Sequence, residues 1–167
     1  PNPLPNIEQQ ELDEQAVAAK LSDRAHASAA EQAALIRQLA AINPRSNDRW
    51  AEMHRVFSDD QRFLLDRLSS LPADSLLAGR LDLDRLGVFG MSSGGTASHM
   101  TCAVDRRCRA GLNMDGFQPL LLDLPPLQAP FMHMSRGNGF RHAIAHERAQ
   151  AASYLVRVEG TAHLSFT

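Results

Sequence analysis

Lysine is almost absent from this chain. Lys20 is the only one among the basic residues, and the remainder are arginine, a bias that reflects coding more readily than function. Excess charge is missing too. A formal net charge of -2 leaves no basic surface to suggest a nucleic-acid partner or an anionic membrane face. No apolar run approaches the ~20 residues of a membrane span. Cysteine is limited to Cys102 and Cys108, too few and wrongly spaced for a cysteine-ligated metal. A disulfide between them, implying an oxidising compartment, and two small buried thiols are both open. No signal peptide is visible and Pro1 is not preceded by a methionine, so the expectation is that something has been removed upstream. What remains is ordinary for a soluble globular domain: 167 residues, 44% hydrophobic and 22% charged.

Pro1–Pro5 reads as an extended loop or tether. Glu8–Ala40 is rich in Ala, Gln, Glu, Leu and Arg and reads as helix, with Leu35, Ile36, Leu39 and Ile42 at helical spacing. Asn43-Pro44 ends it. A second helix is expected over Asp48–Leu71, restarted at a capping box formed by Ser58 and Gln61. Its buried stripe is expected to be Phe63, Leu64, Leu68 and Leu71, and Pro72 closes it. Then the rhythm changes. Short apolar strands are expected at Leu86–Phe89, Ala110–Met114, Pro130–Met134 and Tyr154–Val158, separated by helices over Thr96–Ala103 and about Phe140–Ala152. Strands alternating with helices predict a parallel sheet covered by helices.

Gly90-Met91-Ser92-Ser93-Gly94 lies between the first of those strands and the helix after it. That is the setting of a nucleophile elbow, in which a sharp strand-to-helix turn pushes a serine hydroxyl out at the end of a sheet. The flanking glycines are expected where the turn is too tight for side chains. Active sites of open parallel sheets lie at the carboxyl ends of strands. Three such ends carry Ser92, Asp115 and His163, in the α/β-hydrolase order of nucleophile, acid and base. The chemistry needs all three. A serine hydroxyl is a weak nucleophile unless an imidazole takes its proton, and a carboxylate behind the imidazole fixes its tautomer.

Each position has competitors. Ser92 can be a turn serine and Asp115 a simple cap. Asp105 lies in an arginine-rich turn and Asp123 in a leucine- and proline-rich loop, and neither directly follows a strand. His133 falls inside a strand and reads as a satisfied core histidine. His142 and His146, beside Glu147, have a spacing that can hold a metal, but no further ligand is evident. His26, His54 and His99 read as surface or packing residues.

The run Asp84-Arg85-Leu86-Gly87-Val88-Phe89-Gly90-Met91-Ser92-Ser93-Gly94-Gly95 resembles the elbow of the platelet-activating-factor acetylhydrolase-like branch of the α/β-hydrolases. Asp105 to Gly116 resembles the block that ends in that family's catalytic aspartate, and Gly160 to Phe166 the block that carries its histidine. Met91 departs from the histidine that many relatives have there. The resemblance covers about Asp59–Thr167. It implies an α/β-hydrolase fold of which this chain is the carboxyl-terminal portion: a mostly parallel sheet flanked by helices over 48–167, with 1–47 a variable helical insertion or tether. No oxyanion-hole loop is recognised before the elbow, and no closing helix after His163. The partner expected is therefore the amino-terminal half of the hydrolase, on the same or another chain.

The reading that follows is a serine carboxylic-ester hydrolase with Ser92, His163 and Asp115 as its triad and the Ser93 N–H as one oxyanion donor. The resemblance points to short-chain or phospholipid-type esters, with Met91, Phe117, Leu120, Leu164 and Phe166 as candidate pocket residues. No cofactor or metal is called for. Acyl transfer on the same triad and a non-catalytic binding protein on the same fold are the alternatives. The expected location is secreted or periplasmic, with cytoplasmic as the alternative.

Overall fold

The structure is a computed structural model. It describes residues 16, 28–117, 119–136 and 140–167, residue 140 by its backbone alone. The tether at Pro1–Pro5, the helical reading over 8–27 and His26 lie outside the described residues, Ala16 excepted. Helices α1 (Ala29–Ile42) and α2 (Pro44–Ser69) come first. Then follow β1 (Gly87–Met91), α3 (Ser93–Val104), β2 (Ala110–Met114), β3 (Phe131–Ser135), α4 (Ala143–Arg148) and β4 (Ser153–Arg157). Short 3-10 turns occupy Leu83–Arg85, Pro119–Asp123, Phe140–His142 and His163–Phe166. Among the described residues no helix is long and apolar enough to cross a membrane.

The four strands are parallel and lie in the order β1-β2-β3-β4. Each connection steps to the adjacent strand in the same direction, and right-handed crossovers then put every connection on one face of the sheet. The register agrees. Val88, Gly111 and Phe131 form one row and Gly90, Asn113 and His133 the next, and Phe131, Asn113 and His133 are buried. The alternate rows face the other way: Phe89, Leu112, Met132 and Tyr154, then Met91, Met114, Met134 and Val156. None of these is buried, and Phe89 is 72% exposed.

Beneath the covered face, Cys102, Cys108, Leu127, Ala129 and Phe131 form one core cluster. Cys102 and Cys108 are joined as a disulfide across the turn from α3 into β2. A second cluster joins Ala33 and Ile36 of α1 to Leu122, with Leu39, Phe117 and Ile144 packed against it. The described part of the 1–47 segment therefore shares a core with the rest of the chain.

Helix α1 begins at a true capping box, in which the Ser28 hydroxyl accepts the Glu31 N–H and the Glu31 carboxylate accepts the Ser28 N–H. Asn43 ends α1 and caps α2, accepting the Ser46 N–H at 3.2 Å with Pro44 at the first helical position. The expected restart at Ser58 does not occur, and α2 runs unbroken for 26 residues. Ser58 instead bonds Thr101 at 3.0 Å, and Gln61 bonds both Thr101 and Ser98. The expected stripe is also corrected. Phe63 and Leu64 are 63% and 57% exposed, and Ala51, His54, Ser58 and Leu65 turn inward. The reason is the neighbour: α3 presents small hydroxyl side chains, and these need hydrogen-bonding partners rather than large apolar ones.

Candidate active site

The strand ends set the site. The Ser92 N–H donates to the Met114 carbonyl at 2.8 Å, and the Asp115 N–H to the Met134 carbonyl at 2.7 Å. Each of the two thus sits one rung beyond its strand and still belongs to the hydrogen-bond ladder. Both leave it in a conformation that side chains rarely adopt, with φ 55° at Ser92 and φ 53° at Asp115. Such strain costs on the order of 1–3 kcal/mol and persists only where the surroundings fix it.

Gly90 and Gly116 make room for it. A Cβ on Gly90 would strike the backbone of Gly94, and one on Gly116 would strike the Ser92 carbonyl oxygen. Gly94 itself has nothing within 4 Å, so the expectation that both elbow glycines answer crowding holds for Gly90 and not for Gly94. Sequence reasoning also missed Asn113. Fully buried, it donates to the Gly116 carbonyl and accepts the Gly116 N–H, both at 2.8 Å. This clasp closes the turn that presents Asp115.

The three predicted residues meet. His163 Nε2 lies 3.0 Å from Ser92 Oγ, and His163 Nδ1 lies 2.7 Å from Asp115 Oδ2. With Asp115 ionised, the imidazole proton sits on Nδ1 and is donated to the carboxylate, so Nε2 is free to accept from the serine. His163 opens the last 3-10 turn, which is held by Thr161 Oγ1 donating to the Val158 carbonyl at 2.6 Å and by the Ala162 N–H donating to Ser165 Oγ at 3.1 Å. Ser93 begins α3, where its N–H has no acceptor within the helix.

The competing acids are elsewhere. Asp105 is nearly buried and bonded to Arg107, which holds its carboxyl below the usual range. Asp123 pairs with Arg37 at 2.9 Å on the surface. Of the other histidines, His54 and His99 are buried packing residues, and His146 bonds Ser153 at 2.9 Å. His133 is buried as expected but is not satisfied: neither ring nitrogen has a hydrogen-bond partner. It stacks on His142, with centroids 4.5 Å apart, and lies 5.2 Å from His99. Burial pushes the pKa of His99 down to about 4 and of His142 down to about 3, and lowers that of His133 further. Among the described residues no group of three or more His, Cys, Asp or Glu side chains can hold a metal.

A cavity of about 520 Å³ opens over the three residues, within the size range of small-molecule sites. Ser92, Ser93, Thr96, Asp115, Phe117 and His163 form its floor, and Leu39, Asn47, Trp50 and His54 of the first two helices, with Asn43 between them, form a wall. Of the candidate pocket residues, Phe117 lines this cavity. Met91, Leu120, Leu164 and Phe166 do not line the cavity. Met91 falls on the uncovered sheet face by the two-residue strand period. Leu164 points outward at 73% exposure from the 3-10 turn. Trp50 was missed because its helix was read apart from the site.

No family model matches the chain, and no curated protein matches it. Among solved structures, a ferulic acid esterase from Streptomyces cinnamoneus is similar, with a TM-score of 0.58 and 26% identity. The likeness covers 70% of this chain and 35% of that one, so this chain spans little more than a third of its neighbour's length. With the parallel, helix-covered sheet, this makes the fold an α/β-hydrolase fold of the esterase kind. The likeness does not extend to the platelet-activating-factor acetylhydrolase-like branch.

Proposed function

We propose that this chain carries the reacting residues of a serine carboxylic-ester hydrolase. The observation that carries the reading is the relay from Asp115 through His163 to Ser92, at 2.7 and 3.0 Å, with Ser92 on a strained strand-to-helix turn. Ser92 Oγ attacks the ester carbonyl carbon while His163 Nε2 takes its proton. The tetrahedral oxyanion is held by the Ser93 N–H at the start of α3. The carbon–oxygen bond breaks, and the alcohol leaves with the proton from His163. Water repeats the sequence and frees the acid and Ser92.

The second oxyanion donor is proposed to come from the remaining strands of the hydrolase, on the same or another chain. Support comes from β1, which pairs with β2 alone among the described residues, and from the unburied row led by Phe89. A single such donor is worth ~10²–10³ in rate, so the assembled enzyme is the active species.

The resemblance of the three sequence blocks favours short-chain or phospholipid-type esters. A second reading, aromatic acyl esters, is favoured by Trp50 and Phe117 in the cavity wall and by the ferulic acid esterase neighbour. Comparing kcat/KM for an acetyl ester, an oxidised-phospholipid ester and methyl ferulate separates the two. The Cys102–Cys108 disulfide supports a secreted or periplasmic location over a cytoplasmic one. A fluorophosphonate probe tests the whole reading: full-length protein labels at Ser92, and Ser92→Ala does not. Unlabelled, folded, full-length protein leaves a binding protein on a hydrolase fold. Labelling with transfer to added alcohols in preference to water identifies an acyltransferase.

A further inference from the structure

Asp115 is held from two sides. Its Oδ2 faces both His163 Nδ1 at 2.7 Å and Arg136 Nε at 3.3 Å, while its Oδ1 accepts the Arg136 backbone N–H at 3.3 Å. Arg136 is the first residue after β3, the strand that already receives the Asp115 N–H at Met134. The carboxylate is 12% exposed and the guanidinium 52%, so the pair sits at the rim of the cavity.

We propose that Arg136 is a positioning residue that clamps Asp115 and, by its charge, tempers the field that this carboxylate exerts on His163. The proposal rests on the reading of Ser92, His163 and Asp115 as the reacting set. A bare carboxylate beside an imidazole strongly favours the imidazolium. A guanidinium on the same carboxylate oxygen cancels part of that field at the imidazole. The other charged and titratable groups lining the cavity are Arg141, from the 3-10 turn before α4, and His54 from α2. Arg141 is within electrostatic reach of both Asp115 and Arg136 and acts in the same direction as Arg136. Burial lowers the pKa of His54.

The test is the pH dependence of kcat/KM for a neutral ester, and of the rate of fluorophosphonate labelling, in the full-length hydrolase. Arg136→Gln keeps the backbone clamp and removes the charge. Its acid limb moves to higher pH by on the order of half a unit. Arg136→Lys keeps the charge and restores most of the shift. An acid limb unmoved in the glutamine variant, or moved equally in the lysine variant, overturns the role of charge. A wild-type enzyme that never labels at Ser92 overturns the proposed function instead, and the two failures are read from separate arms of the experiment.

Discussion

Two groups of histidine stand a few side chains apart and obey opposite rules. His163 is partly exposed, and both of its ring nitrogens are engaged, one by Asp115 and one by Ser92. His133 is buried between His99 and His142, and neither of its nitrogens is engaged. Phe117 links the groups, edge-on to His142 at 5.9 Å and in the floor of the cavity. The difference shows what makes an imidazole useful. Solvent access with two fixed partners gives it a defined proton on one side and a defined task on the other. Burial without partners removes the charge altogether and leaves a flat, stackable ring.

The hardest break of this contrast is to exchange the treatments. His163→Ala or Ser92→Ala in the full-length enzyme lowers kcat by roughly 10⁴-fold or more, whereas His133→Leu leaves kcat within about threefold. Steady-state ester hydrolysis measures both, and equal losses would erase the distinction.

Acid sharpens it next. The buried rings have folded pKa values below the ordinary 6.5, so the unfolded chain binds more protons than the fold once the pH drops below that value. Stability is therefore full above about pH 6.5 and is lost on acidification, by up to about 1.4 kcal/mol per pH unit for each ring. The loss from His99 levels off near pH 4 and that from His142 near pH 3, where the folded rings themselves protonate. Urea midpoints should hold level from pH 8 to about 6.5 and then fall steeply to pH 5 in the wild type, less steeply in His133→Leu. A flat wild-type profile would show that the cluster is hydrated.

Gly116→Ala tests the turn that separates the two groups. It pushes a methyl at the Ser92 carbonyl, costing about 1–3 kcal/mol in thermal stability and slowing the labelling of Ser92. The smallest expected effect lies at the far end of α3. Opening the Cys102–Cys108 loop costs about 2 kcal/mol in the melt and leaves the KM for ester unchanged, because the bond closes the end of α3 remote from Ser92.

The candidate site was legible in the sequence to the extent that it follows the sheet. The expected bounds of Ala110–Met114 match the strand to the residue, and Ser92, Asp115 and His163 could be picked out as candidates because strands announce their own ends. The helices were less legible. Ser28 and Glu31 form a capping box and were passed over, while Ser58 and Gln61 match the same pattern and serve a helix contact instead. A four-residue pattern cannot tell a helix start from a polar face awaiting a partner. Trp50 and Arg136 were missed because each meets residues distant in sequence, where local sequence carries no signal; Asn113 clasps Gly116 only three residues on, and was passed over as one more residue of an apolar strand.

The ladder bonds from Ser92 to Met114 and from Asp115 to Met134 place these two candidate residues on a ruler whose divisions are the spacing between strands, roughly 4.8 Å. Such a ruler is stiff. Substitutions that shift a helix or repack a wall leave the distance between these two residues nearly unchanged. His163 hangs from a 3-10 turn beyond β4 and is not on the ruler. Drift in this protein, whether through heating, evolution or engineering, is therefore absorbed at the histidine first, and the loop from Val158 to Thr167 is where the contacts of His163 to Ser92 and Asp115 are kept or lost.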